Sequence, residues 1–117
     1  MYMLDFYASK IRMIALSRIR SITDDGKANP DMFKKDTREY CDAMYDILDT
    51  MPEDRLQSIV SKLHQNFAEV GMDDDGYVAD SLMMFALAAY QTECGEQNVY
   101  DMGWDRMVEE FFHTQAV

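Results

Sequence analysis

Residues 52–71 read PEDRLQSIVSKLHQNFAEVG, and this stretch decides the fold. Leu56, Ile59, Val60, Leu63, Phe67 and Val70 recur at three- and four-residue intervals, the spacing that gathers side chains on one arc of an α-helix. A strand would alternate at period two, and no stretch of this chain does so convincingly. Pro52 stops a preceding helix, because it has no N–H to continue the ladder, and opens this one with Thr50 or Met51 near the cap. Gly71 supplies the left-handed residue on which helices commonly close.

Working outward, Asn29-Pro30 reads as an N-cap with proline at the first helical position, starting a helix that runs to about Met51. Before it, a helix over about 3–22 ends at Thr23-Asp24-Asp25-Gly26. Its main arc gathers Leu4, Tyr7, Ile11, Ile14, Ala15, Ile19 and Ile22, with Arg18 in their midst and Phe6, Met13 and Leu16 outside. Downstream, Asp73-Asp74-Asp75-Gly76 leads into a helix over about 77–93 that Gly95 closes. Leu82, Met83, Met84, Phe85, Leu87 and Ala89 point nearly all round it, as in the enclosed member of a bundle. Asn98 caps a last helix to His113, with Tyr100, Trp104, Met107, Val108, Phe111 and Phe112 on one side. The expectation is one all-α domain over residues 1–117, a bundle of about five helices with the fourth at its centre.

Chemistry is mostly excluded by motif. There is no glycine-rich phosphate loop, and neither His64 nor His113 lies in a nucleophile motif. Cys41, His64, Cys94 and His113 lack the local pair spacing of a zinc site, so no metal and no cofactor are expected. A calcium loop with Gly76 at its sixth position would place Gly71 first and Leu82 twelfth, where acids are required. Carboxylates ahead of a helix are instead favoured by its exposed N–H groups and its dipole. Cys41 and Cys94 are expected as reduced, largely buried thiols. The order of basic and apolar residues at the N-terminus is not that of a secretory signal. The longest uncharged apolar run, residues 82–90, is too short to span a bilayer, so a cytoplasmic location is expected.

Charge is the informative part. The chain carries 22 acidic and 11 basic residues, a formal net charge of −11. That total argues against a general nucleic-acid binder and against a protein resting on anionic lipid. Eight of the basic residues and only five of the acids lie in residues 1–38, so the remainder is strongly negative. On the polar side of the second helix Lys34, Lys35 and Arg38 come first, then Glu39, Asp42, Asp46 and Asp49. This order opposes the helix dipole. The four acids step by three, four and three, a carboxylate stripe with about 5 Å between neighbours along the axis. Like charges at that spacing repel, and local rules broken without local gain are where function is sought first.

Two binding readings follow, and no reaction is named by any motif. In the first, Glu39, Asp42, Asp46 and Asp49, with Asp73, Asp74 and Asp75 as a secondary patch, dock on the basic cleft of a protein partner. Clefts rich in Lys and Arg belong to nucleases and nucleic-acid-binding complexes. Small, acidic, helical and without a catalytic motif, the chain is similar in kind to the DNA-mimicking antirestriction and anti-CRISPR proteins of phages, and to bacterial immunity proteins. That resemblance implies a non-enzymatic inhibitor that blocks its partner's substrate site. In the second reading the chain is a dimeric adaptor or regulatory module that binds through apolar surface at Phe6 and Met13. An enzyme using carboxylate chemistry is the least favoured alternative.

Overall fold

A computed structural model of the protein describes residues 2–95. Four α-helices follow one another: α1 (Tyr2–Ala28), α2 (Lys35–Thr50), α3 (Glu53–Ala68) and α4 (Asp75–Glu93). No strand occurs among the described residues, and none of their helices is long and apolar enough to cross a membrane. The helix expected over about 98–113 lies outside the described residues.

The arc read in residues 52–71 is the buried face of α3: Leu56, Ile59, Val60 and Leu63 are enclosed and Phe67 packs partly against them. Val70, assigned to the same arc, is exposed because the helix has already turned off before it. Gly71 takes the left-handed conformation (φ 71°). Met72 N–H then reaches Phe67 O at 2.9 Å and Gly71 N–H reaches Ala68 O at 3.2 Å, a Schellman closure. Met51, ahead of Pro52, is held extended (ψ 129°), which ends α2. On α4, eleven residues from Val78 to Gln91 are buried, Phe85 completely. Both α1 and α4 pack against each of the other three described helices, so enclosure of α4 is shared with α1.

The first helix is longer than the sequence implies. It does not stop before Thr23-Asp24-Asp25-Gly26 but runs through those residues to Ala28. Thr23 Oγ1 donates to Ile19 O at 3.0 Å and Lys27 pairs with Asp24 at 3.6 Å, both contacts of a continuing helix. Gly26 is buried beneath the Phe33 ring, where a Cβ would lie 2.1 Å from Cδ1. Its lack of a side chain serves a close approach, not a helix end. Asn29-Pro30 is likewise not an N-cap. Met32 N–H bonds to Asn29 O at 3.1 Å, so Pro30 stands second in a turn, where its fixed φ is equally suited. α2 begins only at Lys35, with Lys34 at its N-cap and no side-chain cap. The fourth helix starts at Asp75, two residues earlier than expected, because Asp74 Oδ1 accepts from Tyr77 N–H at 2.8 Å.

Gly26→Ala is therefore expected to lower stability by about 1–3 kcal/mol through displacement of Phe33. Alanine in an exposed helix interior would instead add about 1 kcal/mol, so the sign of the change in a urea titration separates the two. The basic residues of α1 serve the bundle. Lys10 pairs with Asp75 at 2.6 Å, Arg18 with Asp80 and Gly76 O, and Arg12 with Glu53 at 2.8 Å. Arg12 Nη1 also donates to Met51 O at 2.9 Å and Leu48 O at 3.4 Å. The last turn of α2 has no basic residue of its own, so α1 supplies the cation that its terminal carbonyls favour. Arg12→Ala is expected to cost about 2–3 kcal/mol. Arg12→Lys, which cannot reproduce the fork, should recover only part of it in the same titration.

Candidate functional site: an acid-walled seam between two helices

Three contacts fix how α1 and α2 lie together. Arg12 reaches Met51, Arg20 bonds the Tyr45 hydroxyl, and Thr23 bonds Cys41. Rising numbers on one helix meet falling numbers on the other, so the pair is antiparallel and leaves a straight seam. A groove of about 520 Å³ opens along it, with Asp42, Asp46 and Asp49 on the α2 side and Arg20, Asp24 and Lys27 on the α1 side. Thr23, Cys41 and Tyr45 complete the lining.

The stripe of α2 is exposed along its length. Glu39 Oε2 accepts a hydrogen bond from the Tyr90 hydroxyl at 2.6 Å. That bond holds the Tyr90 phenol protonated well above its ordinary range, and Cys94 adds to the effect. Asp42, Asp46 and Asp49 make no ion pair among the described residues. The walls of the groove thus hold four carboxylates, one of them shared with Lys27, against two cations.

The secondary patch is differently placed. Asp75 is paired with Lys10, Asp74 caps α4, and Asp73 lies 3.6 Å from His64 Nε2. At 100° per residue, the mean direction of Lys10 and Arg18 on α1 lies roughly 160° from that of Thr23 and Lys27. The two acidic groups therefore lie on opposite sides of α1 and do not share the seam. On the side of the secondary patch sits the Tyr7 hydroxyl, buried and without a hydrogen-bond partner among the described residues. Burial pushes its pKa up, and Asp75, Asp73 and Asp74 push the same way. The Tyr7 ring stands edge-on to His64 at 5.3 Å, so this histidine is a boundary residue.

Phe6 and Met13 are 77% and 70% exposed among the described residues, Met13 at the rim of the α1–α2 seam. Among the described residues no three His, Cys, Asp or Glu side chains converge to hold a metal ion. His113, one of the four zinc candidates, lies outside the described residues.

The thiols differ from each other, correcting the expectation that both are buried. Cys41 is enclosed at the groove floor and Cys94 is exposed at the C-cap of α4. Burial raises the Cys41 pKa; the Thr23 hydrogen bond opposes this and Asp42 reinforces it. Cys41 therefore stays protonated and covered at neutral pH. With Ellman's reagent, Cys94 should react promptly and Cys41 only on unfolding; equal rates would contradict the packing.

Asp24, Thr23 and Lys27 belong to the site although the stripe alone does not reveal them. Their only sequence signal is helical phase: a first helix carried past Gly26 puts them on the face that meets α2. Compared with protein-family models, curated proteins and solved structures, the chain matches none.

Proposed function

We propose that the protein is a non-enzymatic acidic binding protein that docks Glu39, Asp42, Asp46 and Asp49 on the basic cleft of a nucleic-acid-handling partner and blocks it. Antirestriction, anti-CRISPR and immunity-type inhibitors are similar in kind. One observation carries the reading. Lys10, Arg12 and Arg18 are matched to carboxylates of the same molecule, whereas Asp42, Asp46 and Asp49 face solvent with no ion pair among the described residues. Carboxylates kept open along a helix raise the local negative potential and steer a cationic surface toward it. Asp73, Asp74 and Asp75 add to that field from the other side of α1. The reading includes a cytoplasmic location, and a fifth helix over about 98–113 that makes α4 the enclosed centre.

The test compares wild type with the variant carrying Glu39→Gln, Asp42→Asn, Asp46→Asn and Asp49→Asn. Wild type should capture a nucleic-acid-binding protein at about 0.1 M salt, release it near about 1 M, and displace DNA from it. The variant should do none of these while keeping its helical signal. Capture that survives all four substitutions would overturn the reading. The exposure of Phe6 and Met13 favours a second one, an adaptor or homodimer joined through apolar surface. Its association would persist at high salt and disappear with Phe6→Ser and Met13→Ser.

A further inference from the structure

Met13 of the exposed apolar pair and the acidic stripe, read separately along the sequence, meet in one place. Beside the acidic groove lies a second hollow of about 240 Å³, formed by Met13, Leu16, Ser17, Arg20 and Tyr45. Arg20 and Tyr45 line both, so the two hollows adjoin along the α1–α2 seam on either side of the Arg20–Tyr45 contact. One wall, from α1, presents the exposed Met13; the other, from α2, presents Asp42, Asp46 and Asp49. Between them the Arg20 guanidinium lies 5.0 Å from the Tyr45 ring centroid and covers that ring, leaving the α2 carboxylates as the groups open to a further cation.

We infer that this seam takes a basic amphipathic helix of the protein partner, its apolar face against Met13 and Leu16 and its cations toward the α2 carboxylates. The inference rests on the acidic docking reading and adds the shape and chemistry of what is docked. Two antiparallel helices leave a straight groove into which a third helix packs by ridges and grooves. From Met13 to Lys27 the seam runs about 21 Å, the length of roughly 14 helical residues. Charge complementarity selects the occupant: a second copy of this chain brings another net −11 and repels, whereas a basic helix is attracted. A purely cationic loop would satisfy the carboxylates but leave Met13 in water.

Three 14-residue synthetic peptides test this by fluorescence anisotropy: a leucine–lysine peptide with leucines at helical spacing, its scramble of equal composition, and oligolysine. The helical peptide should bind about tenfold tighter than the scramble, the scale of burying one large apolar side chain. Met13→Glu has opposite effects under the two kinds of docking. It adds negative charge, so oligolysine should bind as before or slightly tighter, while the helical peptide loses about tenfold. Met13→Gln, without a charge change, should lose the same preference, and thermal melts of both variants confirm folding. Equal affinity for helical and scrambled peptides, or indifference to Met13→Glu, would sink the helix inference and leave acidic docking standing. If oligolysine and both leucine–lysine peptides fail to bind, the acidic reading itself falls and takes this inference with it.

Discussion

Phe85→Ala is expected to lower the unfolding free energy by about 3–5 kcal/mol, the usual loss when a fully enclosed aromatic ring is removed from a core. Phe85 is completely buried on α4 and is the largest of the fully buried side chains among the described residues. The ring's departure forfeits its transfer from water and leaves a void that surrounding helices can only partly close. A domain of this size has roughly 5–15 kcal/mol in all, so the variant approaches half-unfolding in the least favourable case. The melting temperature should fall by about 10–20 °C. Phe6→Ala is the matched control: the same chemical change at a ring 77% exposed should stay within about 0.5 kcal/mol. Urea titrations followed by circular dichroism measure both. A Phe85 loss under about 1 kcal/mol would mean that α4 is not enclosed as described.

Stability and binding should move in opposite directions when the α2 stripe is neutralised. Asp46 and Asp49 stand near the negative end of the helix dipole, and the last turn of α2 contains no basic residue. Replacing them by Asn relieves that conflict, and all four substitutions remove like-charge neighbours at three- and four-residue spacing. The sum is a gain of about 1 kcal/mol at low salt, shrinking as salt rises. Gln at position 39 still offers an oxygen to the Tyr90 hydroxyl, so that contact survives. Binding to a basic partner should nevertheless fall at least about tenfold, chiefly through slower association. A more stable protein that binds less well is the signature of residues kept for function. If the variant were instead less stable, the stripe would have a structural role that the absence of partners does not show.

The sequence was most readable where one cause acts locally. The arc of α3 from Leu56 to Phe67, its closure at Gly71 and the all-round apolar character of α4 are each set within a few turns of chain, and each appears where its spacing places it. Thr23-Asp24-Asp25-Gly26 and Asn29-Pro30 were not readable because their local chemistry serves two outcomes. Asp-Asp-Gly fits a helix end and also a helix that a ring overlies; Phe33, seven residues on, decides between them. Proline's fixed φ fits both a first helical position and a turn, and the Met32 to Asn29 bond selects the turn. The reversed charge order of α2 looks like a plain defect until Arg12 is seen at its carbonyl end. Of the candidate site, the stripe was legible from i, i+3 and i+4 spacing. The groove was not, since it exists only where α1 passes α2, and the misplaced end of α1 removed Asp24 and Lys27 from view.

The long α1 also has a consequence for how the chain reaches its native state. Its 27 residues precede everything they pack against, and Arg18 meets Gly76 and Asp80 across 58 and 62 positions. A nascent chain emerging from the ribosome must carry this amphipathic segment unsupported until α4 has been made, since local helix formation alone is marginal without tertiary packing. Closure of such distant contacts comes late and is slow relative to helix formation. Until then the apolar side of α1 is open to whatever else is in solution, which makes this helix the place where chaperone capture or misassociation during synthesis would begin.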